Sequence, residues 1–357
     1  MKIEILKKLT TCGICYFSAM ALILPSCNKA LPDATPIIYP PVNNVSTTIG
    51  DMLNSDTSFS FFKAAATKVN MLAQFSDNSK IFTAFIPDNN AFRASGIPSV
   101  GVVNSLPPAT LGGIVSYSII PGQQYLSTSI PSTFPNIQLP TTVTIGTLPG
   151  TPVKFNLTTF PSVSPTGFYD NNIPVVKPDL KMKNGVVHVV AAIVAPPSKL
   201  LKDAMYNNPN LTFFKAAVAR ADSGQTGLNK IDSLLGNAGT NMTILAPNDA
   251  AFQNLLFGVI YKDLLQQGVP SGQAGAMAIA FSSSPSVFSN PLLYSSLTPA
   301  IVRGILVYHF LATDKGAGFQ PNIRVFSNNF SSTPSFYTTL VNSVFATHPG
   351  IKAQATF

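Results

Sequence analysis

The chain has 357 residues, of which 46% are apolar and only 10% charged, a balance that excludes a disordered polyelectrolyte and leaves packed domains of the secreted type. Its formal charge of +8 does not make a nucleic-acid surface: past the leader the densest basic cluster is Lys177, Lys181 and Lys183, with Asp179 inside it and no interleaved aromatic stripe. The length accommodates two domains and a leader.

In chain order, residues 1–26 read as a leader. Lys2, Lys7 and Lys8 give a positive start, Thr11 to Leu24 an apolar stretch too short to span a bilayer comfortably, and Leu24-Pro25-Ser26-Cys27 follows at once. This resembles a bacterial lipoprotein signal, which implies cleavage before Cys27 and a lipid anchor on it; an ordinary cleaved signal peptide is the alternative. Cys12, Cys15 and Cys27 are the only cysteines, so a chain starting at Cys27 has no disulfide framework. The Cys12-Gly13-Ile14-Cys15 spacing lies in the apolar part of the leader, where a redox motif lacks its strand and helix. Asn28 and Lys29 do not place an Asp directly after the anchor, which favours the outer membrane, with surface exposure as one of the two sides open to it.

Residues 27–45 carry Pro32, Pro36, Pro40 and Pro41 and read as a tether, able to extend roughly 60 Å in polyproline conformation. A first domain is expected over 46–198. Ile49 to Leu53 and Phe59 to Val69 have helical spacing, with Phe59, Phe62, Ala66 and Val69 on one face. Ile81 to Ile86 suits a buried strand ended by Pro87, and Asp88 or Asn89 suits a helix cap. Leu111 to Pro121 predicts a helix running into a strand with Tyr117 at the junction. Thr, Val, Pro and Gly then dominate up to residue 182, as strands and turns require, and Asn184-Gly185 predicts a type I′ hairpin between Val175 to Met182 and Val186 to Val194.

A second domain is expected over 199–357, because the chain repeats itself. TAFIPDNNAF, Thr83 to Phe92, returns as TILAPNDAAF, Thr243 to Phe252, and each follows an FFKAA segment, at Phe61 to Ala65 and Phe213 to Ala217. Ile301 to Ala312, IVRGILVYHFLA, answers Leu111 to Pro121, with Tyr308 at the junction. Phe252 to Tyr308 spans 56 residues where Phe92 to Tyr117 spans 25; the excess, within 258–298, predicts an elaborated loop with one short apolar helix. No counterpart of Asn184 to Pro197 follows Ala346, so the second domain is expected to lack its closing strand through truncation, leaving an aggregation-prone sheet edge.

Three motifs in order, TAFIPDNNAF, YSIIPG from Tyr117 to Gly122 and NGVVHVVAAIVAPP from Asn184 to Pro197, together with TILAPNDAAF and Tyr308-His309, resemble the fasciclin domain. The resemblance implies an α+β fold of two tandem domains, each a β-sandwich wedge flanked by helices, found mostly in cell-surface and secreted adhesion proteins. It also implies that the Tyr-His region engages receptors, which carries over to Tyr308, His309 and Tyr117; in the first domain the histidine position holds Ser118.

Catalytic chemistry is sparse. His188, His309 and His348 are the only histidines and none has a second ligand at metal spacing, so no metal site and a structural role for His188 are expected. Asp88 and Asp249 read as equivalent helix caps. No GxSxG, phosphate loop or dinucleotide fingerprint occurs, and no cofactor is expected. Asn156-Leu157-Thr158 matches a glycosylation acceptor that a bacterial lipoprotein leaves bare. The sequence therefore points to a non-enzymatic envelope lipoprotein, held to the membrane through Cys27 and binding a cell-surface protein or a polysaccharide. An accessory glycan-binding role in outer-membrane polysaccharide uptake is the alternative, with Phe281, Phe288 or Tyr294 stacking on sugar rings.

Overall fold

The computed structural model describes residues 45–147, 150–313 and 319–356. They form two compact units: one of residues 45–198, 324–333 and 354–356, the other of residues 199–323 and 334–353. The molecule is α+β, with helices α1–α11 and strands β1–β10. The leader, Cys27 and the tether up to residue 44 lie outside the described residues.

In the first unit, helix α1 (Ile49–Ser55) starts on a capping box: Thr48 Oγ1 accepts the Asp51 amide at 3.0 Å, and the Asp51 carboxylate accepts the Thr48 amide at 2.9 Å. Helix α2 (Ser60–Lys68) turns Phe61, Phe62, Ala65 and Ala66 inward. Then come β1 (Phe82–Pro87), α3 (Asn89–Ala94), α4 (Val100–Ser105), α5 (Pro108–Tyr117) and β2 (Ile119–Pro121). Strands β3 (Leu139–Thr147) and β4 (Lys154–Thr159) pair as a separate hairpin, and β5 (Pro161–Ser164), β6 (Gly167–Asp170), β7 (Ile173–Met182) and β8 (Gly185–Val190) complete the unit.

The main sheet runs β2-β1-β8-β7-β6-β5. Strand β1 pairs antiparallel with β2 and parallel with β8. All six residues of β1 are buried because both its faces are covered. Phe82, Ala84 and Ile86 pack with Phe62, Phe75 and Phe92 from the helical layer, while Phe85 packs with Tyr117, Ile120, Leu139 and Val190 on the other side.

The Asn184-Gly185 hairpin forms, with Met182 opposite Gly185, but it is not type I′. That turn needs positive φ at both central residues, and neither Lys183 nor Asn184 is among the positive-φ residues. Asn184 works as a brace instead: its carbonyl accepts the Ile49 amide at 2.9 Å and its amide donates to the Phe75 carbonyl at 2.7 Å. Gly185, at φ +145°, is required by crowding, since a Cβ there would stand 2.0 Å from the Phe82 carbonyl oxygen. Asp179, at φ +60°, sits where the β7–β8 register shifts and gives its amide to His188 Nδ1 at 3.1 Å.

The second unit is mostly helical: α6 (Leu201–Tyr206), α7 (Thr212–Ala221), α8 (Ile231–Leu235), α9 (Asp249–Gln266), α10 (Ser271–Ser282) and α11 (Pro299–Val307), followed by the short strands β9 (Ser335–Tyr337) and β10 (Ile351–Ala353). The extra residues of 258–298 do not form an elaborated loop. Helix α9, 18 residues long, runs past the repeat motif to Gln266, and α10 packs back along it. Phe252, Leu256, Ile260 and Leu264 repeat every four residues and are all buried, together with Ala274 and Ala278. That stripe makes the inserted segment part of the core. The ladder of this unit is short, with Ile244 paired to Phe310 and Leu311 to Thr339.

One buried ion pair stands in the second unit. Arg303 on α11 lies 3.5 Å from the Asp222 carboxylate, which also accepts the Ile231 and Asp232 amides at 2.8 and 2.9 Å and so caps α8. Burial lowers the Arg303 pKa, and Asp222 opposes that shift. A lone arginine inside the apolar run of α11 is the sequence signal for such a pair.

Candidate binding site

The repeated motif builds the same junction in both units. Asp88 caps α3 by accepting the Ala91 amide at 2.8 Å, and Asn248 caps α9 by accepting the Ala251 amide at 2.9 Å. The next residue reaches back to the FFKAA helix. Asn89 accepts the Phe61 amide at 3.0 Å, and Asp249 accepts the Phe213 amide at 2.9 Å and the Thr212 hydroxyl at 2.7 Å. Asp88 and Asp249 are therefore not equivalent caps; each answers an amide in the other copy, and both carboxylates are spent on backbone and hydroxyl donors. The opening threonine of each motif also behaves alike: Thr83 donates to the Gln123 carbonyl at 2.9 Å and Thr243 to the Ile323 carbonyl at 3.0 Å.

Tyr117 ends α5 facing inward, with 2% of its surface exposed. Its hydroxyl donates to the Thr158 carbonyl at 2.8 Å and receives the Asn171 amide at 3.5 Å, and burial pushes its pKa up. Ser118, at the histidine position, is buried and donates to the Ile114 carbonyl at 2.9 Å. Beside them lies Asp170, fully buried: it accepts the Thr159 hydroxyl through one oxygen, while its other oxygen has no partner among the described residues. Desolvation pushes its carboxyl up to about 7.

Tyr308 and His309 are placed differently. Tyr308 caps the C-terminus of α11, and both side chains are half-buried. The Tyr308 ring meets His309 edge-on at 5.2 Å and His348 edge-on at 5.5 Å, while its hydroxyl donates to the Gly350 carbonyl at 3.4 Å. His348 is held in turn: its Nδ1 accepts the Gly350 amide at 3.0 Å, and its carbonyl accepts the Asn342 amide at 2.6 Å. Burial pushes the His309 pKa down, opposed by a backbone hydrogen bond with Leu245, so its ring is neutral at neutral pH. The result is a half-exposed aromatic patch with polar edges, suited to contact. Sequence spacing did not bring His348 to it; the His348-Pro349-Gly350 turn, with Gly350 at φ +83°, does.

His188 is fully buried, as a structural histidine should be. Nε2–H donates to the Tyr125 carbonyl at 2.9 Å, Nδ1 accepts the Asp179 amide, and Phe85 and Phe168 flank the ring. Burial lowers its pKa. Among the described residues no group of three or more histidine, cysteine or carboxylate side chains is gathered for a metal, and no helix is long and apolar enough to cross a membrane.

The aromatic residues expected to stack on sugars are largely occupied. Phe288 is in the core against Phe252 at 5.9 Å, so it cannot present its face. Tyr294 is exposed, but the Arg220 guanidinium lies 3.8 Å over its ring. Phe281 is half-buried and packs against the second unit's core. A separate open groove of about 380 Å³ on the first unit is lined by Ser60, Lys63, Ala64, Thr67, Lys68 and Asn104. Lys68 there is committed to the Asn104 and Leu106 carbonyls.

These features define an α+β protein with a buried tyrosine junction in one unit and a half-exposed tyrosine-histidine junction in the other. Residues 57–196 match the model of the fasciclin domain. No curated protein matches the chain. Among solved structures the chain is similar to a FAS1 domain pair from the insect cell adhesion molecule fasciclin I, at 15% identity and a TM-score of 0.34. The match covers 43% of this chain and 52% of the other, so this chain spans about half of that protein.

Proposed function

We propose that this chain is a cell-envelope lipoprotein in which two tandem fasciclin-like domains act as a non-catalytic adhesion or ligand-binding module. The observation that carries the reading is the fasciclin match over residues 57–196. The repeated motif supports a second domain of the same kind, since Asn89 and Asp249 tie their junctions in the same way. The contact surface we assign to Tyr308, His309 and His348, because that patch is half-exposed, whereas Tyr117 is enclosed. Anchoring through Cys27 at the outer membrane rests on the leader alone.

The test is retention of intact cells producing the chain on surfaces coated with a panel of purified glycans and extracellular proteins. Tyr308→Ala with His309→Ala is expected to lose retention about tenfold or more while the purified variant melts cooperatively. Retention unchanged in the folded variant would remove the patch from the account. Retention on glycans alone would select the polysaccharide-uptake role.

A further inference from the structure

Residues 324–333 group with the unit of residues 45–198, although residues 319–323 before them and 334–353 after them group with the other unit. What holds this segment is specific at Arg324, Phe326, Asn328 and Asn329. The Phe326 ring packs on Phe160 at 5.8 Å, and the Arg324 guanidinium lies 5.7 Å from the centre of the same ring. Asn329 and Asn136 exchange amide hydrogen bonds in both directions, at 2.9 and 3.2 Å. Asn328 donates to the Ser162 hydroxyl at 3.2 Å. Inside the segment, the Asn329 carbonyl accepts the Phe326 amide at 2.9 Å and so sets the turn that presents these side chains together.

The receiving surface is built rather than incidental. Phe160, Ser162 and Asn136 are each at least nine-tenths buried with the segment in place, and Phe160 and Ser162 are held beside one another at the start of β5. The Phe160 amide is fixed by the Asn171 carbonyl at 3.1 Å. A buried Phe160 floor that takes both the Phe326 ring and the Arg324 guanidinium, beside an Asn136 that exchanges two hydrogen bonds with Asn329, reads side chains, not merely apolar area.

We propose that the groove floored by Phe160 and bounded by Asn136 and Ser162 is a recognition site for linear segments of the pattern Arg-x-Phe-x-Asn-Asn, that Arg324 to Asn329 is its resident occupant, and that the same segment of a second copy of this chain takes that place when copies are crowded. A second copy presents identical side chains, so exchange between copies preserves every contact listed above for the segment and loses only the advantage of the covalent tether. Dilution favours the intrachain arrangement and concentration the exchanged one. Copies anchored side by side on a membrane would be in the second regime.

The experiment uses the full chain carrying Phe326→Ala and Asn329→Ala, which vacates the groove, and a fluorescent peptide copying residues 323–333 as probe. Saturable binding is expected, weakened about tenfold or more by adding Asn136→Ala, and lost when the peptide carries the same two alanines. Equal binding of both peptides, or of neither, to a variant that still melts cooperatively overturns the proposal. If the double variant does not fold, light scattering of the unaltered chain decides: a dimer fraction that grows with concentration and falls with Asn136→Ala is expected. A monomer at every concentration, or a dimer indifferent to Asn136→Ala, overturns it.

Discussion

Asp170 and His188 make opposite demands on the same unit. The folded chain holds the Asp170 proton far more tightly than the unfolded chain does, with the carboxyl moved from 3.8 to about 7 by burial. Its contribution to stability is therefore greatest in acid and declines as pH rises from about 4 to about 7, remaining level above that. His188 is shifted downward by burial, so its contribution is present above its ordinary value of 6.5 and is lost as pH falls below it. We expect Asp170→Asn to abolish the decline between pH 4 and 7, leaving the loss on acidification due to His188. Urea melts at half-unit steps of pH would test this; an unchanged slope in Asp170→Asn would show that the carboxyl is ionised in the fold. Little of this was legible beforehand. His188 reads as structural from the sequence, whereas Asp170 carries no local mark of its burial, because the groups around it come from other segments.

The elements divide along the same line between local and distant causes. Helices α1, α2 and α5 and strand β1 were readable because each carries its own period and its own stop signal. The motif junctions were readable in position but not in wiring: the sequence offers Asp88 or Asn89 as cap, and only packing decides that the second residue serves the neighbouring helix. Asn89→Ala and Asp249→Ala should each cost about 1 kcal/mol, measured by chemical denaturation. The loss should appear as faster amide exchange at Phe61 and Phe213 respectively; exchange unchanged at those amides would contradict the wiring. The 258–298 segment departs from the loop that the repeat spacing predicts, because its apolar residues follow a helical period of their own. Counting from Phe252 by four would have reached Leu256, Ile260 and Leu264 and drawn α9 as one helix. The Asn184-Gly185 pair signals the hairpin, but the reason for the glycine, the close approach of the Phe82 backbone, comes from about a hundred residues away in the chain and leaves no local mark.

At the scale of the whole molecule, the repeat announced two modules, and the unit grouping of residues 324–333 with 45–198 was invisible in the sequence, where that segment reads only as polar and aromatic. The sequence is legible to the level of the fasciclin-domain match over residues 57–196, because the motifs that carry the resemblance also build the junctions of the fold. Presentation of a binding module at the cell envelope can be checked by protease treatment of intact cells producing the full chain, with both modules and a periplasmic protein followed by immunoblot. Both modules are expected to be digested while the periplasmic protein survives. Modules that resist until the outer membrane is opened would contradict surface presentation and turn the search to partners inside the envelope.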